Sequence, residues 1–300
     1  MLTKLNDTVS IIDTEALRQR GVVAAFLIMG KDRALIDMGY RSSASTVRQD
    51  LLDHGVDGVD YLLPTHVHLD HAGACGTLAN EFPGATVFAH PKGVHHLSDP
   101  AKLVEATTEL FGRDLMQDYG LPEPLNQSRV RSISDDAEIQ LGSGVTLRAI
   151  WTPGHAPHHL SYQIEETGDL FTGDAVGILL SDFPVLLPTT PPTSFDLELA
   201  IESLTRIRNV NPSRLLTPHF GVVDNVSKAI DDNVRSLIEW KNTIQPMITA
   251  GTSVDDMTDA LIRRVCRLVG RSLESIPEHL RVSIRLNVLG LVRYLKRTIG

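Results

Sequence analysis

The segment His66-x-His68-x-Asp70-His71 places three imidazoles and a carboxylate within six residues. Alternate residues on an extended chain point to the same side, so His66 and His68 can reach one metal ion. Asp70 and His71 come after the turn and can face a second ion. Imidazole and carboxylate are the ligands that borderline divalent cations such as zinc prefer. Two cations a few ångström apart need about six or seven ligands, more than this segment supplies. His155, Asp174 and His219 are the candidates for the rest. The chemistry such ligands could support is that of bound divalent cations, which act as Lewis acids and lower the pKa of a bound water.

Short β-branched runs surround these residues. The alternation predicts strands over 8–12, 22–29, 33–37, 61–65, 86–90, 129–132, 145–151, 160–164, 170–172 and 214–217. Helical patterns over 44–54, 73–81, 100–118 and 194–209 fall between them. The predicted strands 61–65, 145–151, 170–172 and 214–217 each run straight into a His or Asp. In layered α/β folds the carboxyl ends of strands are where loops converge on a site. Beyond His219 the pattern changes to helices over 224–249, 254–269 and 279–298, with Ser253 placed to cap the second. In the last helix Leu280, Ile284, Val288, Leu291, Leu295 and Ile299 line one face. The Pro-rich segment 181–193 reads as an extended loop.

Composition narrows the partners. The chain has 300 residues, 42% of them hydrophobic, and a net charge of −9. That apolar content excludes a disordered chain. The acidic balance argues against a nucleic-acid or anionic-membrane partner, which needs a basic patch. Cys75 and Cys266 cannot build a disulfide framework, and Cys75 reads as a core residue. No early apolar run has the length of a membrane span. The expectation is a cytoplasmic protein acting on a small molecule.

The segment Thr65-His66-Val67-His68-Leu69-Asp70-His71-Ala72-Gly73 resembles the signature of the metallo-β-lactamase superfamily. Thr152-Pro153-Gly154-His155, Gly173-Asp174 and Pro218-His219 are similar to its later ligand motifs, in the same order. The resemblance covers roughly residues 1–225. It implies an αββα sandwich: two mixed sheets face to face, helices outside, and a metal site at one edge. With the change to helices beyond His219, the chain divides into a catalytic domain, 1–223, and a C-terminal helical subdomain, 224–300. Carried over, His66, His68 and His155 bind a first metal, Asp70, His71 and His219 a second, and Asp174 bridges both. Gly173 supports the last role independently, because it permits a tight turn before the carboxylate.

The mechanism the resemblance implies uses a metal-bridging hydroxide on an ester, thioester or lactone. Asp70 is the catalytic residue, orienting that hydroxide and protonating the leaving group. His159 falls where glyoxalase II-like members have a further His and is expected to orient a ligand. His158 is as well explained by the surface. The chain looks most like the glyoxalase II-like hydrolases. It lacks a recognisable glutathione-binding segment after Asp174, and the Tyr that acyl-homoserine lactonases place there. The cofactors implied are two divalent ions, zinc first, with iron, manganese or cobalt as alternatives. The rival readings are a mononuclear-iron sulfur dioxygenase-like oxidoreductase, or an acyl-homoserine lactonase or phosphoesterase of the same fold. The apolar run 178–187 is read either as a lid or as packing against the C-terminal helices or a second copy in a homodimer. Phe183, Leu186 and Phe220 are the candidate pocket residues.

Overall fold

The structure, a computed structural model, describes residues 1–180 and 183–299; the side chains of residues 180, 183–185, 279 and 299 lie outside that description. Backbone contacts divide the chain into two units. The first comprises Met1–Trp151, His158–Gly173 and Pro212–Asp224. The second comprises Thr152–Pro157, Asp174–Asn211 and Asn225–Gly300.

In the first unit, a seven-stranded sheet runs in sequence order. Its strands are β1 (Leu2–Lys4), β2 (Val9–Asp13), β3 (Ala24–Met29), β4 (Arg33–Ile36), β5 (Tyr61–Leu63), β6 (Thr86–Ala89) and β7 (Val130–Ser132). The first four pair antiparallel, and β4 to β7 pair parallel. Parallel neighbours need crossovers, and α1 (Ala44–Asp53), α2 (Leu69–Ala72) and α3 (Cys75–Glu81) belong to them. So do α4 (Val94–Ser98), α5 (Ala101–Phe111) and α6 (Arg113–Tyr119).

The second sheet contains β8 (Glu138–Gly142), β9 (Val145–Trp151), β10 (Leu160–Ile164), β11 (Asp169–Phe171), β14 (Arg214–Thr217) and β15 (Gly221–Val223). Phe26, Ile28 and Ile36 from one sheet meet Leu147, Tyr162 and Phe171 from the other in a single buried cluster. The opposite face of the first sheet buries Leu27, Leu35 and Leu62 with Val47, Leu51 and Leu78 of α1 and α3. Cys75 belongs to that second cluster, and burial pushes its thiol up to about 12, as expected of a core residue. Strands β2 to β5 therefore feed two cores by their period-two alternation. This is the α/β sandwich of two mixed sheets that the motifs imply.

The second unit holds the hairpin β12 (Ile178–Leu180) and β13 (Phe183–Leu187), with α7 (Leu197–Asn209), α8 (Val226–Thr249), α9 (Val254–Val269) and α10 (Glu278–Ile299). The helix starts are set by side-chain caps. Asp196, Asn225 and Ser253 each accept a hydrogen bond from the backbone N–H three residues on. Ser253 also donates to Asp256 Oδ2 at 2.7 Å. Leu280, Ile284, Val288, Leu291 and Leu295 are buried, so these residues of the predicted stripe form the packed face of α10; the Ile299 side chain lies outside the described residues.

Three expectations need correction. The strand predicted over 61–65 stops at Leu63. Pro64 has no N–H for the ladder, and the Thr65 N–H is taken by Asp37 instead. The helix predicted over 100–118 is two helices, broken at Gly112, whose φ of +86° lies outside helical space. The predicted loop over 181–193 contains β13, whose Leu186 and Leu187 pair with Leu179 and Ile178. Residues 181 and 182 at its turn lie outside the described residues. β13 packs along α8 and α9. Among the described residues no helix is long and apolar enough to cross a membrane.

Candidate metal centre

In the second sheet β9 and β11 are both antiparallel to β10, and β14 is parallel to β11. The carboxyl ends of β9, β11 and β14 therefore share one edge. That edge is tied to the end of β5 by Leu160 N–H donating to Thr65 O at 2.8 Å. It is tied to the start of β3 by Ala24 N–H donating to Pro218 O at 2.7 Å. Strand direction thus brings His66 to His71 and His219 to one place.

Within the first unit, Asp70, His71 and His219 offer ligand atoms all within 4.8 Å of one another. Asp70 Oδ2 lies 3.5 Å from both His71 Nε2 and His219 Nε2. His66 Nε2 faces His68 Nδ1 at 2.9 Å.

Hydrogen bonding sets the tautomers. Thr65 Oγ1 donates its single proton to the Asp37 carboxylate at 3.0 Å. It can therefore only accept from His66 Nδ1, 3.0 Å away. His71 Nδ1 donates to Asp37 Oδ2 at 3.0 Å, and His219 Nδ1 to Val22 O at 3.2 Å. In each ring the proton sits on Nδ1 and the lone pair on Nε2. A ligand imidazole needs this arrangement, with its far nitrogen held by a partner. Asp37 is the residue that sequence reasoning missed. It stands after β4 at φ +51°, is 1% exposed, and holds both Thr65 and His71.

His159 is fully buried, its ring centroid 5.0 Å from that of His66. His158 is also buried, with its ring 6.3 Å from His66 and 6.2 Å from His68, so the surface alternative for it is not the one observed. Gly173 has φ +48°, and a Cβ there would lie 2.4 Å from His159 Nε2 and 2.8 Å from Thr65 Oγ1. Only glycine fits between them.

In the second unit, His155 Nε2 and Asp174 Oδ2 are 3.4 Å apart. Thr189 Oγ1 donates to Asp174 O at 2.9 Å and so accepts from His155 Nδ1, also at 2.9 Å. His155 is thereby fixed in the same tautomer as the other three. Thr189 is the second residue missed from sequence. Its neighbour Thr190 is held by Asn287 of α10, whose Oδ1 accepts from Thr190 N–H at 2.5 Å. Gly154 has φ +120°, and a Cβ there would meet the Ala200 backbone nitrogen at 2.3 Å. His155, Asp174 and Thr189 line a crevice of about 10 Å³ with Asn233 and Leu237, room for one water.

The candidate pocket residues are dispersed in role. Leu186 is half-buried in β13, opposite Leu179. Phe220, at φ +54°, packs on the core between the two sheets. The Phe183 side chain lies outside the described residues.

Comparison with known proteins agrees with this chemistry. Residues 18–219 match the profile of the Metallo-beta-lactamase superfamily. The chain is 32% identical over 199 residues to the metallo-beta-lactamase fold-containing protein ST1585 of Sulfurisphaera tokodaii, covering 65% of this chain and 72% of that one. The crystal structure of ST1585 superposes with a TM-score of 0.71 at 26% identity, covering 95% of this chain and 98% of that chain. The metallo-beta-lactamase family protein TTHA1429 of Thermus thermophilus shares the fold, with a TM-score of 0.70 at 21% identity over 98% of this chain and 95% of that one. The atrochrysone carboxyl ACP thioesterase of Aspergillus fumigatus is 25% identical over 219 residues, 73% of this chain and 56% of that enzyme.

Proposed function

The chain belongs to the metallo-beta-lactamase superfamily, and on that premise we propose that this metal-dependent hydrolase acts on an ester, a thioester or a lactone. The observation that carries the reading is the common tautomer of His66, His71, His155 and His219, each with Nδ1–H engaged and the lone pair on Nε2. Such a donor set fits a borderline divalent cation.

In this proposal His66, His68 and His155 hold one divalent ion, Asp70, His71 and His219 hold a second, and Asp174 serves both. Two such ions, zinc before iron, manganese or cobalt, would supply Lewis acidity toward the substrate carbonyl and acidify water near neutral pH. Asp70 orients the attacking water, takes up its proton and returns it to the leaving group. His159 packs beside His66 and keeps that ring in place. The thioester option draws on the thioesterase activity named for the Aspergillus fumigatus relative. We assign catalysis to 1–223, treat 224–300 as a helical subdomain, and place the chain in the glyoxalase II-like branch, acting in the cytoplasm.

Metal analysis of the purified protein, with a parallel screen of lactones, thioesters and phosphoesters, tests the reading. Two ions per chain and ester-type hydrolysis lost on chelation are expected. One iron per chain with oxygen uptake on a glutathione persulfide would replace the hydrolase by a dioxygenase.

A further inference from the structure

The proposed ligands fall in both units. His66, His68, Asp70, His71 and His219 belong to the first. His155 and Asp174 belong to the second, the unit that contains α7 to α10. Two carboxamides on the C-terminal helices of that unit reach the segment that carries Asp174.

Asn233 of α8 and Asn287 of α10 are 2% and 7% exposed. A polar group on the packed face of a helix is costly unless it is hydrogen-bonded there. Asn233 Nδ2 donates to Val176 O, two residues after Asp174. Asn287 Oδ1 accepts from the Thr190 N–H at 2.5 Å, one residue after Thr189. Thr190 Oγ1, fully buried, donates in turn to Asn287 O at 2.7 Å. The segment 174–190 is therefore held near both of its ends. Between these holds, Thr189 Oγ1 joins Asp174 O to His155 Nδ1 at 2.9 Å on each side.

The backbone is shaped for close approach at both points. A Cβ at Gly177 would lie 2.6 Å from Asn233 Nδ2 and 2.3 Å from Leu187 O. Gly290 stands one turn after Asn287, and a Cβ there would lie 1.7 Å from Thr190 O. Glycine inside a helix lowers helix stability relative to alanine. Here it lets α10 lie directly against the Thr190 carbonyl. Asn233 also lines the small crevice beside His155, Asp174 and Thr189.

We propose that Asn233 and Asn287 are positioning residues of the metal centre. From the C-terminal helices they fix the segment carrying Asp174 and Thr189, and so set the affinity of the ion that His155 and Asp174 hold. The helical subdomain is then part of the centre and not an appendage to it. This rests on the ligand assignment proposed above and adds the residues that hold one half of it. The other ion keeps Asp70, His71 and His219, all of the first unit, and depends less on either asparagine.

The test is calorimetric titration of the metal-free full chain with zinc, in the absence of substrate. His155→Ala identifies the sites in question, as the class it weakens most. Asn233→Leu and Asn287→Leu keep the side-chain volume and delete the hydrogen bonds. Each should weaken that same class by about 10–100-fold. The other class should change by less than about threefold. If wild type binds a single ion, the expected loss falls on that ion. Asn287→Asp keeps an acceptor for the Thr190 N–H and should restore most of the affinity. Cys266→Ala, which thins the packing of α9 beside Ser272, controls for stability alone and should leave both classes as they are. Wild-type zinc affinity in both leucine variants overturns the inference. So does a loss that is equal in the two classes and follows the urea midpoint, or an Asn287→Asp protein as weak as Asn287→Leu. Esters, thioesters and lactones assayed on the same wild-type preparation keep the two readings apart. No hydrolysis of any of them, with zinc binding altered as expected, overturns the substrate reading and leaves the asparagines in their role.

Discussion

Asp37 Oδ2 lies 3.0 Å from His71 Nδ1, with both side chains excluded from solvent, while Asp37 Oδ1 accepts from the Thr65 N–H at 2.8 Å. One carboxylate thus positions both Thr65 and His71 of the segment proposed to bind metal. Asn at this position keeps one acceptor and turns an NH₂ toward a donor. Asp37→Asn is expected to weaken metal binding by about 10–100-fold and to cost about 1–3 kcal/mol of stability. Chelator competition and urea unfolding measure the two effects. Metal affinity equal to wild type would remove Asp37 from the centre.

Thr189 makes the analogous prediction in the second unit. Its hydroxyl links His155 Nδ1 to the Asp174 carbonyl, at 2.9 Å on each side. Thr189→Val keeps the shape and deletes the link, so metal affinity should fall by about tenfold or more. Thr189→Ser should restore it. Equal loss in both variants would mean that packing, not the hydroxyl, matters there.

Gly173→Ala should be far more damaging than a methyl group suggests. The new Cβ would meet His159 Nε2 at 2.4 Å and Thr65 Oγ1 at 2.8 Å, from a backbone at φ +48°. Left-handed strain and overpacking each cost about 1–3 kcal/mol. The midpoint of thermal unfolding should drop, and bound metal should drop with it. A variant that retains both would show that this turn relaxes easily.

An acid-stability prediction comes from Glu123, away from the metal ligands. Burial would raise its carboxyl, but the nearby Thr77 hydroxyl, hydrogen bonds from Arg41 and Asn80, and the Arg41 charge hold it below the ordinary 4.5. A depressed folded-state value means that the unfolded chain takes up this proton first as pH falls. The stabilisation is therefore present above about pH 4.5 and is lost as pH falls through the lower folded-state value. Glu123→Gln should flatten that limb of the stability profile, read by urea midpoints from pH 6 to 3. An unchanged slope would leave Glu123 with no role in acid stability.

Asp70→Asn tests the role assigned to the catalytic carboxylate. Loss of a general acid–base group lowers kcat by about 10²–10⁴-fold. The variant should also bind less metal, since Asp70 lies 3.5 Å from the Nε2 atoms of His71 and His219. Metal content by mass spectrometry, read beside kcat, separates the two losses. Full activity in this variant would sink the assignment.

Much of the fold was legible because its signals are local. Three strands, 145–151, 160–164 and 214–217, have the bounds that alternation predicts. The start of α9 follows from Ser253 and its reach to the backbone three residues on. The short strands β1, β8 and β15 were missed, since three to five residues carry too little periodicity. The break at Gly112 was missed because helical pattern continues on both sides of it.

The sequence by itself determined the types and the order of the proposed ligands. A His-rich segment after an apolar strand, with Gly-His, Gly-Asp and Pro-His at three later strand ends, offers donors for a divalent cation through residue type and order. Only the tertiary structure decided which nitrogen each imidazole presents. That choice belongs to Asp37, Thr65, Thr189 and the Val22 carbonyl. Apart from Thr65, which precedes His66, these partners lie 34 residues or more from the histidines they hold. A hydrogen bond of that kind depends on where strands end in space, and spacing along the chain does not encode it.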